Sequence, residues 1–398
     1  MFGKFKYRLY CYFHNKAKQL LGKANLTSGN ILKIPELKFN TQLCSVITLW
    51  DDFIKNSVIL GGEYDGFLHA GYIAECNEWC LPSWIWTNAA IIREKCLVGK
   101  IQEAESLATL IAKKQQKCGG WVVRNDYDKQ GPIPMLAPND SAYIANNAFI
   151  KLFEITDKIE YLEIAIKCAD WIMKTARPDG MVYVGYNMRN QKWVKNCVIV
   201  DVGFTAGLFA NLARITNEKK YIDFLKHFID RYIDLFYIPS KHGFCTSIDK
   251  EDHQQGGMFG RGQAWALEGL IPAYLLLKDK RIRLVIEETI NNLINVQCSN
   301  GSWAYNLTKP LMGEDCKAVS VIAKNMMDWY QITLDERIFH SAKKALDWCR
   351  LHTLVDGEAK GGIFSFCMEG AIVQNLYTSC AFVYASAYAI ELEHLLKR

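Results

Sequence analysis

Asp140-Ser141-Ala142-Tyr143-Ile144-Ala145-Asn146-Asn147-Ala148-Phe149 opens on an acid and runs on through small and apolar residues with no polar stripe. A helix with that pattern is surrounded on all sides. Similar starts recur at Thr87 (in WTNAA), Asp201 (DVGFTAGLFANL), Arg261 (RGQAWALEGL), Asp315 (DCKAVSVIAKNM) and Thr378 (TSCAFVYASAYA). By subtraction of residue numbers, successive starts lie 53, 61, 60, 54 and 63 residues apart. Four apolar runs end in a short polar turn, at Thr156-Asp157-Lys158, Thr216-Asn217-Glu218, Lys278-Asp279-Lys280 and Thr333-Leu334-Asp335. Amphipathic segments such as YLEIAIKCADWIMK and YIDFLKHFIDRYID follow, with apolar residues at helical spacing. Glycine-plus-aromatic segments come next, at Gly119-Gly120-Trp121, Gly180 to Tyr183, Gly243-Phe244, Gly301-Ser302-Trp303 and Gly361 to Phe364. Glycine permits a sharp reversal there.

Six such units predict an all-α (α/α)6 toroid of six helical hairpins, with apolar helices inside and amphipathic helices outside. An open solenoid of helix pairs is the competing geometry, but its units run about 34 to 47 residues with short connections. The longer units here, with long loops on one side only, favour closure. Residues 1–40 read as an N-terminal appendage and 41–398 as a single domain.

The composition, 50% hydrophobic and 22% charged, is that of a globular protein able to bury a large core. A net charge of +5 is too mild to point to nucleic acid as a partner. No stretch approaches the roughly 18 apolar residues of a membrane-spanning helix. The basic, aromatic N-terminal segment lacks the continuous apolar region of a secretory signal, so a cytoplasmic protein is expected. Fourteen scattered cysteines, from Cys11 to Cys380, read as free thiols. The close pair Cys76 and Cys80 lacks the second ligand pair of a zinc site, and no metal or organic cofactor is expected. The sequence leaves the oligomeric state open.

If the inner helices run parallel, their starts meet at one end and surround one cavity. Asp140, Asp201, Arg261 with Gln263, and Asp315 then become neighbours, because packed helix axes lie about 8–10 Å apart. Asp140 and Asp201 would form a carboxylate pair suited to sugar acid/base chemistry, which asks for a separation of about 6.5–9.5 Å in inverting enzymes. Aspartate is equally a preferred helix N-cap, a reading that suits Asp140 in Pro138-Asn139-Asp140. It suits Asp201 less, because Cys197 to Phe204 is otherwise apolar and burying a charge there is costly. Arg261-Gly262-Gln263-Ala264-Trp265 sets a cation, an amide and a flat ring within about one turn, suited to a carboxylate-bearing or hydroxyl-rich ligand. The plainer alternative pairs Arg261 with Asp201 and leaves Trp265 in the core. Trp84, Trp86, Trp121, Tyr183, Trp193, Trp303 and Phe364 are candidate stacking surfaces, with ordinary packing the alternative for each. His242 and His253 are candidate polar contacts. No phosphate loop, dinucleotide fingerprint, nucleophile elbow or HExxH motif occurs.

The segments Asp140-Ser141-Ala142, Val200-Asp201-Val202-Gly203 and above all Arg261-Gly262-Gln263-Ala264-Trp265, with the Asp315 start after them, are similar to the unsaturated glucuronyl hydrolases of glycoside hydrolase family 88. More loosely, the chain resembles the unsaturated rhamnogalacturonyl hydrolases. The resemblance covers roughly residues 85 to 395. It implies a substrate with a 4,5-unsaturated uronic acid at the non-reducing end of an oligosaccharide, and hydration of its double bond rather than direct glycosidic cleavage. By the same resemblance Asp201 is the general acid/base and Asp140 holds sugar hydroxyls and tunes Asp201. The resemblance also implies that Arg261, Gln263 and Trp265 shape the subsite, and Asp315, Trp86 and His242 are further candidate substrate contacts from their positions in the repeat.

Two other classes stay open on the sequence. A sugar epimerase on the same toroid would need histidines facing the pocket, and no inner-helix start supplies one. A non-catalytic glycan-binding protein would keep the aromatics without needing Asp201.

Overall fold

The computed structural model describes residues 37–398 apart from 74–77, 81–84, 129–130, 196, 310–312 and 367–378. Trp84, Thr378, Cys11, Cys76 and most of the N-terminal appendage lie outside the described residues. The chain packs as two compact units, residues 82–295 and a second unit built from both chain ends, up to Leu81 and from Val296 onward.

In chain order the helices are α1 (Ile47–Asn56), α2 (Trp86–Leu97), α3 (Ile101–Lys113), α4 (Pro138–Ile144), α5 (Lys151–Thr156), α6 (Ile159–Thr175), α7 (Phe204–Thr216), α8 (Lys219–Phe236), α9 (Gly260–Leu277), α10 (Lys280–Val296), α11 (Cys316–Thr333), α12 (Glu336–Leu351) and α13 (Val383–Leu396). A π-helical turn, Ala145–Ile150, joins α4 to α5. The 82–295 unit holds four hairpins: α2/α3, α4–α5/α6, α7/α8 and α9/α10. The other unit holds α11/α12, and its α13 packs against both α1 and α11, so the two chain ends make the sixth pairing.

The apolar helices are buried nearly along their whole length, α2 from Trp86 to Cys96 and α9 from Gly260 to Ile271. The helices that follow bury one stripe, in α8 Tyr221, Leu225, Phe228, Ile229 and Tyr232. The buried charges of two apolar helices pair: Arg93 Nη1 donates to Asn147 Oδ1 and to Glu268 Oε1, each at 2.7 Å. That ion pair ties α2, the π turn and α9 together at a depth where an unpaired charge would be very costly.

The five hairpins continuous in sequence each reverse on one left-handed residue: Gly99, Asp157, Asn217, Lys278 and Leu334 all have positive φ. In the last four the N–H bonds the carbonyl four residues back, at Phe153, Ala213, Tyr274 and Tyr330. This is the single-bond left-handed helix end.

The glycine-aromatic segments plug the core. A Cβ on Gly119 would lie 2.3 Å from the Lys167 carbonyl of α6, and one on Gly301 2.2 Å from the Lys344 carbonyl of α12. The loop can close onto the helix only without a side chain. Trp121 and Trp303 behind these glycines are fully buried, as is Phe364, and Trp121 stacks on Phe149. These three rings are packing, contrary to the expected sugar-stacking role.

The long loops pair as short antiparallel strands, which the helical repeat did not predict. One sheet has the order β3 (Val122–Asp128), β4 (Gly131–Leu136), β5 (Tyr186–Asn187), β6 (Lys192–Trp193). A second joins β7 (Cys197–Ile199) through β10 (Ser247–Asp249) to β11 (Gln254–Gln255), and β8 (Tyr237–Ile238) pairs with β9 (Gly243–Phe244). In the chain-end unit, β1 (Gly71–Ile73) pairs with β2 (Glu78–Cys80) and with β13 (Ser379–Phe382), which also pairs with β12 (Phe364–Phe366). Among the described residues the cysteines are free thiols, and no helix is long and apolar enough to cross a membrane.

Candidate active site

Two short segments bring the carboxylates together. Strand β4 runs through Ala137 into α4, whose first residue is Pro138, so Asn139 and Asp140 fall within the first turn. Proline there costs no hydrogen bond, because the first N–H groups of a helix have no internal partner. Asp140 makes no capping bond to its own helix. Its N-cap reading fails, and its buried carboxyl is directed to other work.

Asp201 does not open a helix either. It lies in a 3-10 turn, Val200–Gly203, between β7 and α7. Val200 anchors the turn: its N–H donates to Thr246 O at 3.0 Å and its carbonyl accepts from Tyr232 Oη at 2.9 Å. Close helix packing fixes it from the other side, since a Cβ on Gly262 would lie 2.7 Å from Val200 Cγ1 and one on Gly269 2.0 Å from the Gly203 carbonyl.

Asn139 bridges the pair. Its Nδ2 donates to Asp201 Oδ2 at 2.8 Å and to Asp140 Oδ1 at 3.3 Å. One amide nitrogen thus holds one oxygen of each carboxyl. Asn139 Oδ1 and Asp201 Oδ1 are closed from solvent and meet no donor at hydrogen-bond geometry.

The surroundings raise both acids. Burial pushes the Asp140 carboxyl well above the ordinary aspartate value, and the Asp201 charge adds to the shift. Burial raises Asp201 to about 6, against the Asn139 hydrogen bond, the Arg261 charge and the N–H groups of Asp201 and Val202. Neighbouring carboxyls both raised above the ordinary value by their surroundings are a frequent mark of acid/base sites.

Arg261, buried in the first turn of α9, lies 4.7 Å from the Phe259 ring centre and 5.1 Å from that of Trp265. Cation–π contact on both rings holds the guanidinium in place. Trp265 begins an arc of ring contacts: to Phe204 at 5.8 Å, from there to Tyr143 at 4.6 Å, and from Tyr143 to Trp86 at 5.1 Å. Those rings come from the starts of α9, α7, α4 and α2, so these four inner helices do converge at their N-terminal ends.

Three further expected residues have contacts of their own. Gln263 is fully buried: its Oε1 accepts from Phe244 N at 2.7 Å, and its Nε2 donates to the carbonyls of Phe244 and Phe259. Its amide is spent on framing the β9 loop rather than offered to a ligand. His242 is an exposed turn residue whose neighbour is Glu288 of α10, at 3.6 Å. Asp315 belongs to the chain-end unit, where it caps α11 by accepting from Lys317 N at 3.0 Å. Helix capping, the alternative weighed for every aspartate, holds for this one. His253 lies with Asp249 and Glu251 in an exposed group whose possible ligand atoms fall within 4.8 Å of one another. There Asp249 Oδ1 already accepts from the N–H groups of Glu251 and His253, as a turn cap.

The residue that sequence reasoning missed is Asn139. Its signal in the sequence is an amide directly before Asp140.

Solved structures share the fold. An unsaturated glucuronyl hydrolase responsible for glycosaminoglycan degradation, from Bacillus sp. GL1, superposes with a TM-score of 0.66 at 14% identity, over 88% of this chain and 93% of that one. A possible member of the GH105 family from Salmonella enterica gives 0.65 at 14% identity, over 92% and 98%. Cellobiose 2-epimerase from Bacillus thermoamylovorans gives 0.63 at 11% identity, over 87% and 99%. At such identities the likeness carries the fold alone, the all-α six-hairpin toroid, which hosts more than one chemistry. No curated protein matches the chain by sequence. The sequence profile of Glycosyl Hydrolase Family 88 matches residues 82–392, a span that contains the bridged carboxylates and Arg261. The chain belongs to that family of glycoside hydrolases.

Proposed function

We propose that this glycoside hydrolase acts on the 4,5-unsaturated uronic acid at the non-reducing end of an oligosaccharide, by adding water across the double bond. The observation that carries the reading is the Asp140–Asn139–Asp201 bridge, a buried and a half-buried carboxyl held by one amide and both raised above the ordinary value. With a pKa of about 6, Asp201 is available as an acid in mildly acidic solution. Its proton goes to C4 of the enol ether, leaving positive charge at C5 that the ring oxygen shares. Water adds at C5 and gives its proton to the Asp201 carboxylate, restoring the acid. The C5 hemiketal then opens and releases the rest of the sugar.

Asp140, neutral through burial, donates to a sugar hydroxyl while its partner cycles. Arg261, fixed between two rings, pairs with the uronate carboxylate as a charge-assisted contact. Trp265 and Trp86 supply flat walls. The residues named need no metal for any step. An epimerase would want histidine at these helix starts, where the chain has aspartate, arginine and tryptophan.

The test is loss of the ultraviolet absorbance of a 4,5-unsaturated uronide. Asp201→Asn keeps the size and most hydrogen bonding but removes the transferable proton, so the rate should fall about 10²–10⁴-fold. Equal rates for the wild type and Asp201→Asn would remove Asp201 from the mechanism. Glycan binding without turnover by the wild type would favour the non-catalytic alternative.

A further inference from the structure

The loop between the two carboxylates has a composition of its own. From Gly180 to Val200 it carries Arg189, Lys192 and Lys195 and no aspartate or glutamate, with Tyr183, Tyr186 and Trp193 interleaved. The fold gathers these rings. Tyr186 and Trp193 are register partners across β5 and β6, with ring centres 5.3 Å apart. Tyr183 stacks on Trp193 at 5.1 Å and an interplanar angle of 27°. Lys195, two residues past Trp193, lies 6.0 Å from the Tyr183 ring centre. The three rings are half-buried, while Lys192 and Lys195 are exposed on and beside the edge strand.

The chain fastens this hairpin to both acids. Tyr186 pairs with Leu136 of β4, four residues before Asp140. Beyond Lys195 the chain enters β7 and the turn that holds Asp201. Trp193 lies two strand spacings from Leu136, roughly 10 Å. That separation from the strand leading into Asp140 is on the scale of one or two sugar units.

We infer that Tyr183, Tyr186, Trp193 and Lys195 form an outer subsite for the trailing part of the substrate, taking a saccharide that carries further carboxylate or sulfate groups. The assignment rests on the function proposed above for the bridged carboxylates. Stacked rings accept the apolar face of a pyranose, and a loop with cations and no carboxylate of its own favours an anionic chain over a neutral one. The enzyme is therefore one that prefers an acidic oligosaccharide to an acidic disaccharide.

Turnover of 4,5-unsaturated di- and tetrasaccharides decides it, prepared from hyaluronan (carboxylates only) and from chondroitin sulfate. The wild type should show a KM for tetrasaccharide about ten-fold below that for disaccharide, and Trp193→Ala should erase the difference. Its kcat/KM on disaccharide should stay within about two-fold of the wild type, since a loss confined to KM of the longer substrate is lost ground-state binding. Lys192→Gln with Lys195→Gln, both exposed and free of folding risk, should weaken the tetrasaccharide preference and flatten its salt dependence. A larger effect on the chondroitin sulfate series would identify sulfate as the group recognised, and equal effects would identify the carboxylate. Equal KM for both lengths in the wild type, or a preference retained in both variants, overturns the subsite. If the wild type turns over neither length, calorimetric binding of saturated hyaluronan tetrasaccharide separates the two ideas. Binding lost in both variants keeps the subsite and rejects the reaction, and no binding by the wild type rejects the subsite.

Discussion

Asp201 is protonated only below about pH 6, and the groups around it set that value. As the acid of the first step it must carry its proton, so kcat/KM should fall as pH rises through about 6. Arg261 holds the value down by favouring the carboxylate. Arg261→Gln should therefore lower activity and also move the alkaline limb to higher pH; a limb that stays put would detach Arg261 from Asp201. Asp140 gives a different signature. Burial keeps it protonated in the fold at pH values where the unfolded chain ionises. The unfolded state then binds fewer protons, so this residue costs stability as pH rises from the ordinary aspartate value through its folded pKa. Asp140→Asn should raise the melting temperature at about pH 7 and leave it nearly unchanged below about pH 3, where both states are largely protonated. An equal change at both would mean that its ionisation is not coupled to folding. Asp140 and Asp201 were legible because their spacing repeats and because Asp201 interrupts an apolar run. The bridging role of Asn139 and the backbone-bound amide of Gln263 were not legible for one reason: a hydrogen-bonding side chain in the sequence does not declare whether its partner is backbone, another side chain or ligand.

Helix packing carries the geometry of those residues. At the crossing of α7 and α9, a Cβ on Gly269 would lie 2.0 Å from the Gly203 carbonyl and 3.3 Å from Ala206 Cβ. Gly203 ends the 3-10 turn that contains Asp201. Gly269→Ala must therefore push that turn away from α9. Overpacking of this kind typically costs about 1–3 kcal/mol, and a displacement of about 1 Å can cost on the order of 10²-fold in rate. The folded variant should lose activity well beyond its loss of stability; unchanged kcat/KM would mean that the turn is positioned by β7 and Tyr232 alone. The inner helices were legible because burial on all sides removes the polar stripe, a pattern that survives without any knowledge of partners. The 3-10 turn was not, since Val200 to Gly203 looks like the first residues of α7. Nor were the loop strands, such as β5 and β6 with two residues each, too short for alternation to show.

At the scale of the whole chain, the sixth hairpin is the part that local pattern least explains. Its two helices, α1 and α13, come from opposite ends of the described sequence; adjoining strands pair, Gly71 with Phe382, and Trp50 Nε1 of α1 donates to Thr353 Oγ1 just beyond α12 at 2.8 Å. The periodicity predicted six units and missed that one of them is assembled from both termini, because α1 precedes the first repeat start and carries no turn to its partner. Contacts at such sequence separation cost loop-closure entropy before they return any stability. Gly71 is the tightest point of the clasp, where a Cβ would meet the Ala381 carbonyl at 2.4 Å and the Phe382 ring at 3.1 Å. Gly71→Val should force β1 off β13. If the strands hold the helices together, hydrogen exchange should then quicken in α1 and α13 alike, although they lie at opposite ends of the sequence. Faster exchange confined to β1 would mean that α1 is held by its buried Trp50, Phe53 and Ile54 without help from the strands.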